Sequence, residues 1–349
     1  MTSFSPAIGP PREQTLLDIQ DLSGGLLLRA TNHLGDAVMT LPAAWRLKQQ
    51  LPAGAPLAVL TPHKWRELWQ AAAWVDRVIT FPGRRLDPAA RADVADFAAD
   101  ATVILPNSFG SACDLARAGS QRRLGRGGRM RALLLQHRLP AWRRVAGADE
   151  HHEVCKYLEI AAACGVRNWG VDYPPLHSAV PIPAECPTGG PLLAIAPGAA
   201  YGPAKQWPTE HFCAIVAAWE GPVVALGAPG EEAVAESAIA NSANAVNLAG
   251  RTSLSELMAI LQVSDCIVAN DSGTMHLGAA LGRSGVAIFG STDPLATGPI
   301  GGNWIVMQEP VPCAPCLART CKRETDAYEC LLGITPDAVL AAIATLRDH

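Results

Sequence analysis

The sequence predicts an α/β protein with two doubly wound parallel-sheet domains that face each other across a cleft. Short apolar runs rich in β-formers alternate with stretches of helical period, which is typical of parallel strands covered by helices. The length of 349 residues corresponds to about two domains of roughly 150 residues each. A passage rich in proline and glycine interrupts the alternation, which then restarts. We therefore expect a flexible arm at 1–25, a domain at 26–172, a linker at 173–191 and a second domain at 192–349.

The first domain is predicted to alternate strand and helix. Its strands are predicted at Leu26–Ala30, Leu57–Thr61, Arg77–Phe81 and Thr102–Leu105. Its helices are predicted at Ala37–Gln50, His63–Ala73, Pro88–Ala99, Phe109–Ala118 and Glu153–Cys164.

The second domain repeats the alternation. Its strands are predicted at Leu192–Ala196, Pro222–Leu226, Ala245–Leu248, Cys266–Ala269 and Val286–Phe289. Its helices are predicted at Glu210–Trp219, Glu231–Asn241, Leu254–Val263 and Gly273–Leu281, with a closing helix at Asp337–Leu346. Ligands of such sheets bind at the carboxyl ends of the strands, so residues just after strands carry most of the functional information.

Composition excludes several classes of protein. Charged residues make up 17% of the chain, against about a quarter in typical soluble proteins, and hydrophobic residues make up 49%, which argues against disorder and coiled coil. The net charge of −4 argues against a general nucleic-acid binder. The first twenty residues lack the apolar core of an export signal, and no apolar run is long enough to cross a bilayer. We expect a cytoplasmic protein with at most peripheral membrane contact.

Asp36 follows the first predicted strand in the sequence Asn-His-Leu-Gly-Asp-Ala. One interpretation is a helix cap, because aspartate is favoured at that position. The other is a general base that removes a proton from an attacking hydroxyl, a role worth roughly 10²–10⁴ in rate. Spacing alone does not separate the two.

Two junctions of the second domain suit an anionic ligand. Pro197–Pro208 carries Gly198 and Gly202, whose small size exposes backbone N–H groups, and Lys205 adds a positive charge suited to a diphosphate. After the strand Cys266–Ala269 come residues that open a helix and could bind phosphate or sugar hydroxyls: Asp271, Ser272, Gly273, Thr274 and His276. The alternatives are an ordinary turn and a capped helix with a core histidine.

Two further features of the first domain are polar. Asn107 and Ser108 follow the strand Thr102–Leu105 and could bind a ligand or cap the next helix. Residues 117–144 hold nine arginines and no acidic residue, which indicates either a solvated arm or an anionic partner.

Four cysteines near the end of the chain have spacing that resembles a metal site: Cys313, Cys316, Cys321 and Cys330. Four thiolates could hold a structural zinc ion. The second pair is not Cys-x-x-Cys, so reduced thiols or a disulfide stay open.

Taken in order, these motifs resemble the ADP-heptose:lipopolysaccharide heptosyltransferases over nearly the whole chain after residue 25. The matching segments are Gly35-Asp36, Leu105–Phe109, Gly127–Arg131, Pro197–Pro208, Asn247–Gly250 and Asn270–His276. Leu-Pro-Asn-Ser-Phe and Gly-Pro-Ala-Lys-x-Trp-Pro look more like heptosyltransferase II, which adds the second heptose, than heptosyltransferase I.

The resemblance implies a GT-B fold of two Rossmann-like domains and an inverting displacement. It implies that Asp36 is the general base and that the donor, ADP-heptose, is bound by Gly198, Gly202, Lys205, Asp271, Ser272, Gly273, Thr274 and His276. No Asp-x-Asp motif is present, so we expect no cofactor in catalysis, with Lys205 and helix amino termini stabilising the diphosphate.

The resemblance also gives the arginines a partner, a lipid A-linked inner-core saccharide at the cytoplasmic face of the inner membrane. It implies acceptor binding by Asn107, Ser108, Arg122, Arg123, Arg126 and Arg129, with peripheral membrane contact. Two alternatives stay open: a transferase of the same family with another acceptor or donor (heptosyltransferase I or III-like), and a non-catalytic nucleotide-sugar-binding protein.

Overall fold

A computed structural model describes Phe4 and residues 14–142, 152–240 and 242–347. The chain forms two compact units. The first unit is Ala7–Leu176, and the second is His177–His349 with Met1–Pro6. The division falls inside the predicted linker.

The first unit contains a six-stranded parallel sheet in the order β3-β2-β1-β4-β5-β6. Its strands are β1 (Leu26–Arg29), β2 (Leu57–Pro62), β3 (Arg77–Phe81), β4 (Ala101–Ile104), β5 (Arg123–Arg126) and β6 (His137–Leu139). Its helices are α1 (Leu34–Met39), α2 (Leu41–Gln50), α3 (Arg66–Gln70), α4 (Pro88–Phe97), α5 (Phe109–Arg117) and α6 (Glu153–Ala163). β1, β2 and β4 are buried throughout, as expected of strands covered on both faces.

The second unit contains another six-stranded parallel sheet, in the order β12-β11-β10-β7-β8-β9. Its strands are β7 (Leu193–Ala196), β8 (Val223–Ala225), β9 (Ala245–Asn247), β10 (Cys266–Asn270), β11 (Gly285–Phe289) and β12 (Trp304–Gln308). Its helices are α7 (Thr209–Ala218), α8 (Glu232–Ala238), α9 (Leu254–Val263), α10 (Gly273–Ala280), α11 (Pro294–Thr297), α12 (Glu329–Leu332) and α13 (Pro336–Arg347). Both units are thus Rossmann-like, as predicted.

Three strands were not predicted: β5, β6 and β12. β5 and β6 lie inside the arginine-rich stretch, where charged side chains conceal the apolar pattern of a strand. The predicted helix Ala37–Gln50 is two helices, α1 and α2, which meet at Thr40. Within the part of the chain that the structure describes, no helix is both long and apolar enough to span a membrane.

The expected flexible arm at 1–25 is wrong for residues 14–25. Leu17, Ile19 and Leu22 are buried, and the amides of Leu17 and Ile19 donate to the carbonyl oxygens of Ala163 and Cys164 at 3.0 and 3.1 Å. This segment therefore packs against the end of α6, because its apolar side chains complete the core there. Residues 1–3 and 5–13 of the expected arm lie outside the described residues.

Candidate active site

Asp36 lies on α1, directly after β1. The N-cap of α1 is His33, and Asp36 is the third residue of the helix. The interpretation of Asp36 as a helix cap is therefore wrong. Asp36 therefore lies close to the carboxyl end of the sheet, where a ligand of this fold binds.

The carboxylate of Asp36 has a defined set of neighbours on α6. The hydroxyl of Tyr157 donates to Oδ1 of Asp36 at 3.4 Å, and Lys156 forms an ion pair with Glu153 at 2.7 Å. Burial, reinforced by the negative charge of Glu153, raises the pKa of Asp36, while Lys156, His33 and the Tyr157 hydrogen bond act in the opposite direction. A partly desolvated carboxylate with a raised pKa is a stronger base than an exposed one.

The loop after β7 has little space at either predicted glycine, and its backbone requires glycine at Gly202. A side chain at Gly198 would overlap the carboxylate of Glu231. Gly202 has a φ of 140°, in the region that favours glycine, and a Cβ there would lie 2.6 Å from the carbonyl oxygen of Arg319. The loop therefore packs closely against two neighbouring segments.

Lys205 and Asp271 are brought together at the carboxyl edge of the second sheet. The ammonium of Lys205 lies 2.5 Å from Oδ2 of Asp271, which also accepts a hydrogen bond from the Thr292 hydroxyl at 2.7 Å. The Tyr201 ring lies 5.0 Å from the same ammonium. Because an ammonium has three N–H donors, the ion pair orients Lys205 and leaves donors for a phosphate oxygen.

The segment after β10 is organised by Asn270 and Ser272. The side-chain amide of Asn270 donates to the carbonyl oxygen of Pro197 at 2.7 Å and accepts from the backbone amide of Trp207 at 3.1 Å. These two bonds connect the end of β10 to the loop that carries Lys205. Ser272 caps α10 by accepting from the Met275 amide at 3.5 Å. The remaining predicted residues, Gly273, Thr274 and His276, lie in the first turn and a half of α10. The donor residues predicted from sequence thus share one edge of the second sheet.

Asn107 and Ser108 follow β4, as predicted, and both side chains are exposed. The Ser108 hydroxyl caps α5 by accepting from the Ser111 amide at 3.2 Å. Asn107 Oδ1 lies 3.4 Å from a guanidinium nitrogen of Arg131. Ser108 therefore caps α5, whereas the Asn107 side chain contacts the guanidinium of Arg131.

The four arginines predicted to bind an acceptor do not form one patch. Arg122 and Arg123 lie at the amino end of β5, the edge of a parallel sheet opposite to the one that binds ligands. The Arg123 Nε donates to the carbonyl oxygen of Leu134 at 2.7 Å. Acceptor binding by Arg122 and Arg123 stays a prediction, which their position at the amino edge of the sheet does not favour. The side chain of Arg129 lies outside the described residues, as do Arg143 and Arg144.

Arg126 lies at the carboxyl end of β5 and is held by other residues of the fold. Its guanidinium pairs with Glu159 at 2.6 Å and donates to the carbonyl oxygen of Lys156 at 2.8 Å. The Trp142 ring lies 4.9 Å from the guanidinium carbon. Direct acceptor binding by Arg126 stays a prediction, and the ion pair with Glu159 gives this buried charge a role in the fold as well.

Arg131 is a residue that sequence reasoning did not single out. It is 3% exposed, and among the described residues the only hydrogen-bond partners of its guanidinium are the neutral oxygens of Asn107 and Ile104, at 3.4 and 3.5 Å. Burial lowers the pKa of Arg131 to about 10. It lines a pocket of about 590 Å³ that Asn107 and Trp142 also line. A buried guanidinium without an acid beside it is suited to bind an anionic group.

The four late cysteines are close enough to influence one another. Burial raises the pKa of Cys330, and the thiols of Cys313, Cys316 and Cys321 add to this effect. In the ranges that the structure covers, which include all four, no group of three or more His, Cys, Asp or Glu side chains is placed to hold a metal ion. A structural zinc ion stays a prediction from the spacing alone.

Three residues of the site were not predicted from the sequence and are identified only by the structure: Arg131, Tyr157 and Thr292. Arg131 stands among nine arginines that the sequence does not rank. Tyr157 and Thr292 lie far along the chain from the carboxylates that they contact, and no spacing rule connects them. A buried tyrosine on an amphipathic helix is more often a core residue than a ligand of a carboxylate, so no signal distinguished Tyr157.

Comparisons with known proteins agree with this arrangement. The model of glycosyltransferase family 9 (heptosyltransferase) matches residues 91–326. Lipooligosaccharide heptosyltransferase 2 of Haemophilus ducreyi is 28% identical over 92% of this chain and 99% of its own length. Lipopolysaccharide heptosyltransferase 2 of Salmonella typhimurium is 29% identical over 93% of this chain and 99% of its own.

A solved structure supports the same assignment. The structure of Escherichia coli ADP-heptose lps heptosyltransferase II superimposes with a TM-score of 0.75 at 26% identity, covering 92% of this chain and 98% of that one. The predicted GT-B fold is confirmed by this likeness together with the two Rossmann-like units. The family model spans more than half of the chain, and the chain belongs to glycosyltransferase family 9, the heptosyltransferases.

Proposed function

We propose that this protein transfers L-glycero-D-manno-heptose from ADP-heptose to the inner core of lipopolysaccharide, adding the second heptose to heptosyl-Kdo₂-lipid A. One observation carries the choice of acceptor. The two relatives that match along 92% and 93% of this chain are both heptosyltransferases 2, whereas heptosyltransferase 1 of Pseudomonas aeruginosa matches 52% of it.

Asp36 would act as the general base. Its carboxylate accepts the proton of the acceptor hydroxyl while that oxygen forms a bond to the anomeric carbon of heptose. The bond from this carbon to the diphosphate breaks, ADP leaves with the electron pair, and the configuration inverts. The raised pKa of Asp36 supports this role, because a carboxylate that holds protons more strongly is better matched to a hydroxyl in the transition state.

Lys205 and the amino end of α10 would stabilise the charge that develops on the leaving ADP. The ion pair with Asp271 holds the Lys205 ammonium at the edge of the second sheet before a ligand arrives. Such preorganised charge lowers the barrier because no reorganisation is needed during reaction. We propose that this arrangement replaces a divalent metal ion at the diphosphate.

Arg131 and Asn107 would bind an anionic group of the acceptor. The inner core carries carboxylates and phosphates, and Arg131 offers a guanidinium that no acid among the described residues neutralises. A bidentate contact between arginine and a carboxylate or phosphate is worth roughly 1.5–3 kcal/mol. This proposal replaces the four-arginine patch expected from sequence.

The test is incubation of purified protein with ADP-L-glycero-D-manno-heptose and either Kdo₂-lipid A or its singly heptosylated form, with product masses as the readout. Gain of one heptose on the heptosylated acceptor alone is expected. Gain on the bare acceptor alone would indicate a heptosyltransferase I. Gain on neither would contradict the proposed function and favour another substrate pair or a binding protein.

A further inference from the structure

The segment that carries the four late cysteines, residues 313–330, packs against the loop after β7. The backbone amide of Ala204 donates to the carbonyl oxygen of Arg319 at 3.1 Å, and the Tyr201 hydroxyl donates to the carbonyl oxygen of Leu317 at 2.8 Å. The donor site predicted from the sequence includes residues of this loop and none of 313–330. We call residues 313–330 the cysteine segment.

Further backbone hydrogen bonds hold the cysteine segment in place. The amide of Leu317 donates to the carbonyl oxygen of Ser291 at 2.8 Å, and the amide of Ser291 donates to the carbonyl oxygen of Ala204 at 3.1 Å. Main-chain atoms thus join the cysteine segment, the residues after β11 and the loop after β7. The position of the segment therefore does not depend on the side chain of Arg319, which is exposed.

Arg319 and Lys205 share one aromatic neighbour. The guanidinium carbon of Arg319 lies 5.2 Å from the centre of the Tyr201 ring, and the ammonium nitrogen of Lys205 lies 5.0 Å from the same centre. These two atoms are therefore at most about 10 Å apart. Because an aromatic face attracts cations, the ring concentrates positive charge at the loop assigned to the diphosphate.

Only one of these two cations has an acidic partner. The Lys205 ammonium lies 2.5 Å from the carboxylate of Asp271, which is 4% exposed, so this acid offsets most of the charge of Lys205. Arg319 forms no ion pair with an acidic side chain in the described part of the chain. A diphosphate is a dianion, and more negative charge develops on it as the bond to the sugar breaks. The paired lysine supplies hydrogen bonds but little net charge, so a second cation would stabilise this ligand further.

The other basic side chains of the cysteine segment differ from Arg319. Arg323 forms an ion pair with Glu329 at 2.6 Å, which neutralises it. Lys322 is exposed, and among the described residues its ammonium contacts no aromatic ring. Arg319 is thus the basic side chain of this segment that both contacts the loop after β7 and keeps its charge available.

We propose that Arg319 binds the diphosphate of the nucleotide donor, as a second cation beside Lys205. A guanidinium presents a planar fork that bonds two phosphate oxygens at once while its face stays against an aromatic ring. Tyr201 therefore keeps Arg319 positioned before the donor binds. The identity of the ligand as a sugar nucleotide rests on the proposed function, whereas recognition of a nucleoside diphosphate by Arg319 does not require the heptose.

Calorimetric titration of full-length protein with ADP tests the proposal. Arg319→Gln removes the charge and keeps a polar side chain, and it should weaken ADP binding about tenfold because a charge-assisted contact is lost. Arg319→Lys should recover part of that affinity, since an ammonium keeps the charge without the fork. Lys322→Gln, at an exposed cation three residues along the same segment, is the matched control and should bind ADP as wild type does.

Adenosine separates a contact with phosphate from a general effect on the site. Measured by competition with ADP, adenosine should bind equally to wild type and to Arg319→Gln, because it lacks the diphosphate. Equal weakening of ADP and adenosine binding would overturn the proposal. So would unchanged ADP affinity in Arg319→Gln, or an equal loss of affinity in Lys322→Gln. Thermal unfolding should give each variant the melting temperature of wild type, because both side chains are exposed.

Turnover separates this inference from the proposed function. Arg319→Gln should raise the KM for ADP-heptose about tenfold and leave the KM for the acceptor unchanged. Absence of heptose transfer by the wild type would contradict the proposed function, while the ADP titration would still test Arg319. Normal transfer by the wild type, with the same KM for ADP-heptose in Arg319→Gln, would overturn the assignment of Arg319 alone.

Discussion

The carboxyl edges of the two sheets differ in whether a basic side chain there has an acidic partner. In the second unit, the ammonium of Lys205 is paired with Asp271 at 2.5 Å. In the first, the guanidinium of Arg131 is more deeply buried than the Lys205 ammonium but contacts only neutral oxygens among the described residues. At the edge of the second sheet, the lysine is therefore already oriented before a ligand binds. At the edge of the first sheet, a buried positive charge would be neutralised only when an anion binds.

The same contrast appears within the first unit. Arg126 and Arg131 line one pocket, yet Arg126 is neutralised by Glu159. Burial of an unpaired charge costs stability, and a protein tolerates such a cost most readily where function requires it. We therefore propose that Arg126 contributes mainly to the fold and that Arg131, which has no acidic partner among the described residues, binds a ligand.

The largest expected effect is that of Asp36→Asn. The amide keeps the size of the side chain but cannot accept the hydroxyl proton, so kcat should fall roughly 10²–10⁴-fold. Binding of ADP, measured by calorimetry, should persist because the nucleotide is assigned to the other unit. Near-normal turnover by this variant would remove Asp36 from the chemistry.

The next effect is that of Lys205→Ala on the donor. Loss of a charge-assisted contact should weaken ADP-heptose affinity by roughly 10–100-fold. Lys322→Ala, at an exposed lysine of the same unit, is the control. Because the change also leaves Asp271 buried without its cation, thermal unfolding is measured beside affinity; unchanged affinity in a folded variant would contradict the phosphate role.

Arg131→Met should act on function and stability in opposite directions. The acceptor KM should rise about tenfold, because the anion loses its partner. The free energy of unfolding should rise by about 1 kcal/mol, because a desolvated charge is replaced by an apolar side chain of similar length.

Arg126→Met is the matched comparison for Arg131→Met. It should lower the free energy of unfolding by about 2 kcal/mol, because Glu159 loses its partner in a partly buried position. Denaturant unfolding measures both variants. Destabilisation of the two by similar amounts would show that Arg131 is structural as well.

Tyr157→Phe should change the pH dependence of turnover. Asp36 acts as a base only when ionised, so kcat/KM falls as the pH drops through its pKa. The Tyr157 hydrogen bond lowers the pKa of Asp36, and its removal raises that pKa further. The acidic limb of the pH profile should therefore move to higher pH, while Tyr173→Phe leaves it in place; a shift to lower pH would contradict the assignment.

The smallest expected effect is that of a chelator. With Lys205 and α10 stabilising the diphosphate, turnover in EDTA should equal turnover in Mg²⁺. Loss of activity in EDTA that Mg²⁺ restores would show that Lys205 and α10 do not stabilise the diphosphate without a metal ion.

The buried strands were predictable because parallel strands covered on both faces are continuous apolar runs, as in Leu26–Arg29 and Cys266–Asn270. β5 and β6 escaped prediction because arginines occupy strand positions, and the charge of Arg126 is hidden by a glutamate 33 residues away. The direction and pairing of the strands, which no local sequence pattern predicts, determine which arginines lie at the carboxyl edge of the sheet.

The site was predictable where a motif is continuous in sequence. Asp36, Lys205 and Asp271 each follow a strand, and topology brings the last two together. The partners that orient them, Tyr157 and Thr292, depend on packing between distant segments. Arg131 is distinguished from its neighbours by burial with no acidic partner in the described part of the chain, a property of the folded protein.

Crossed binding measurements test the account most directly. Calorimetry would compare Lys205→Ala and Arg131→Met, each titrated with ADP and with a delipidated heptosyl-Kdo acceptor. We expect that Lys205→Ala loses affinity for ADP alone and that Arg131→Met loses affinity for the acceptor alone. Equal weakening of both ligands by either variant, in protein that is fully folded, would contradict the division of binding between the two sheets.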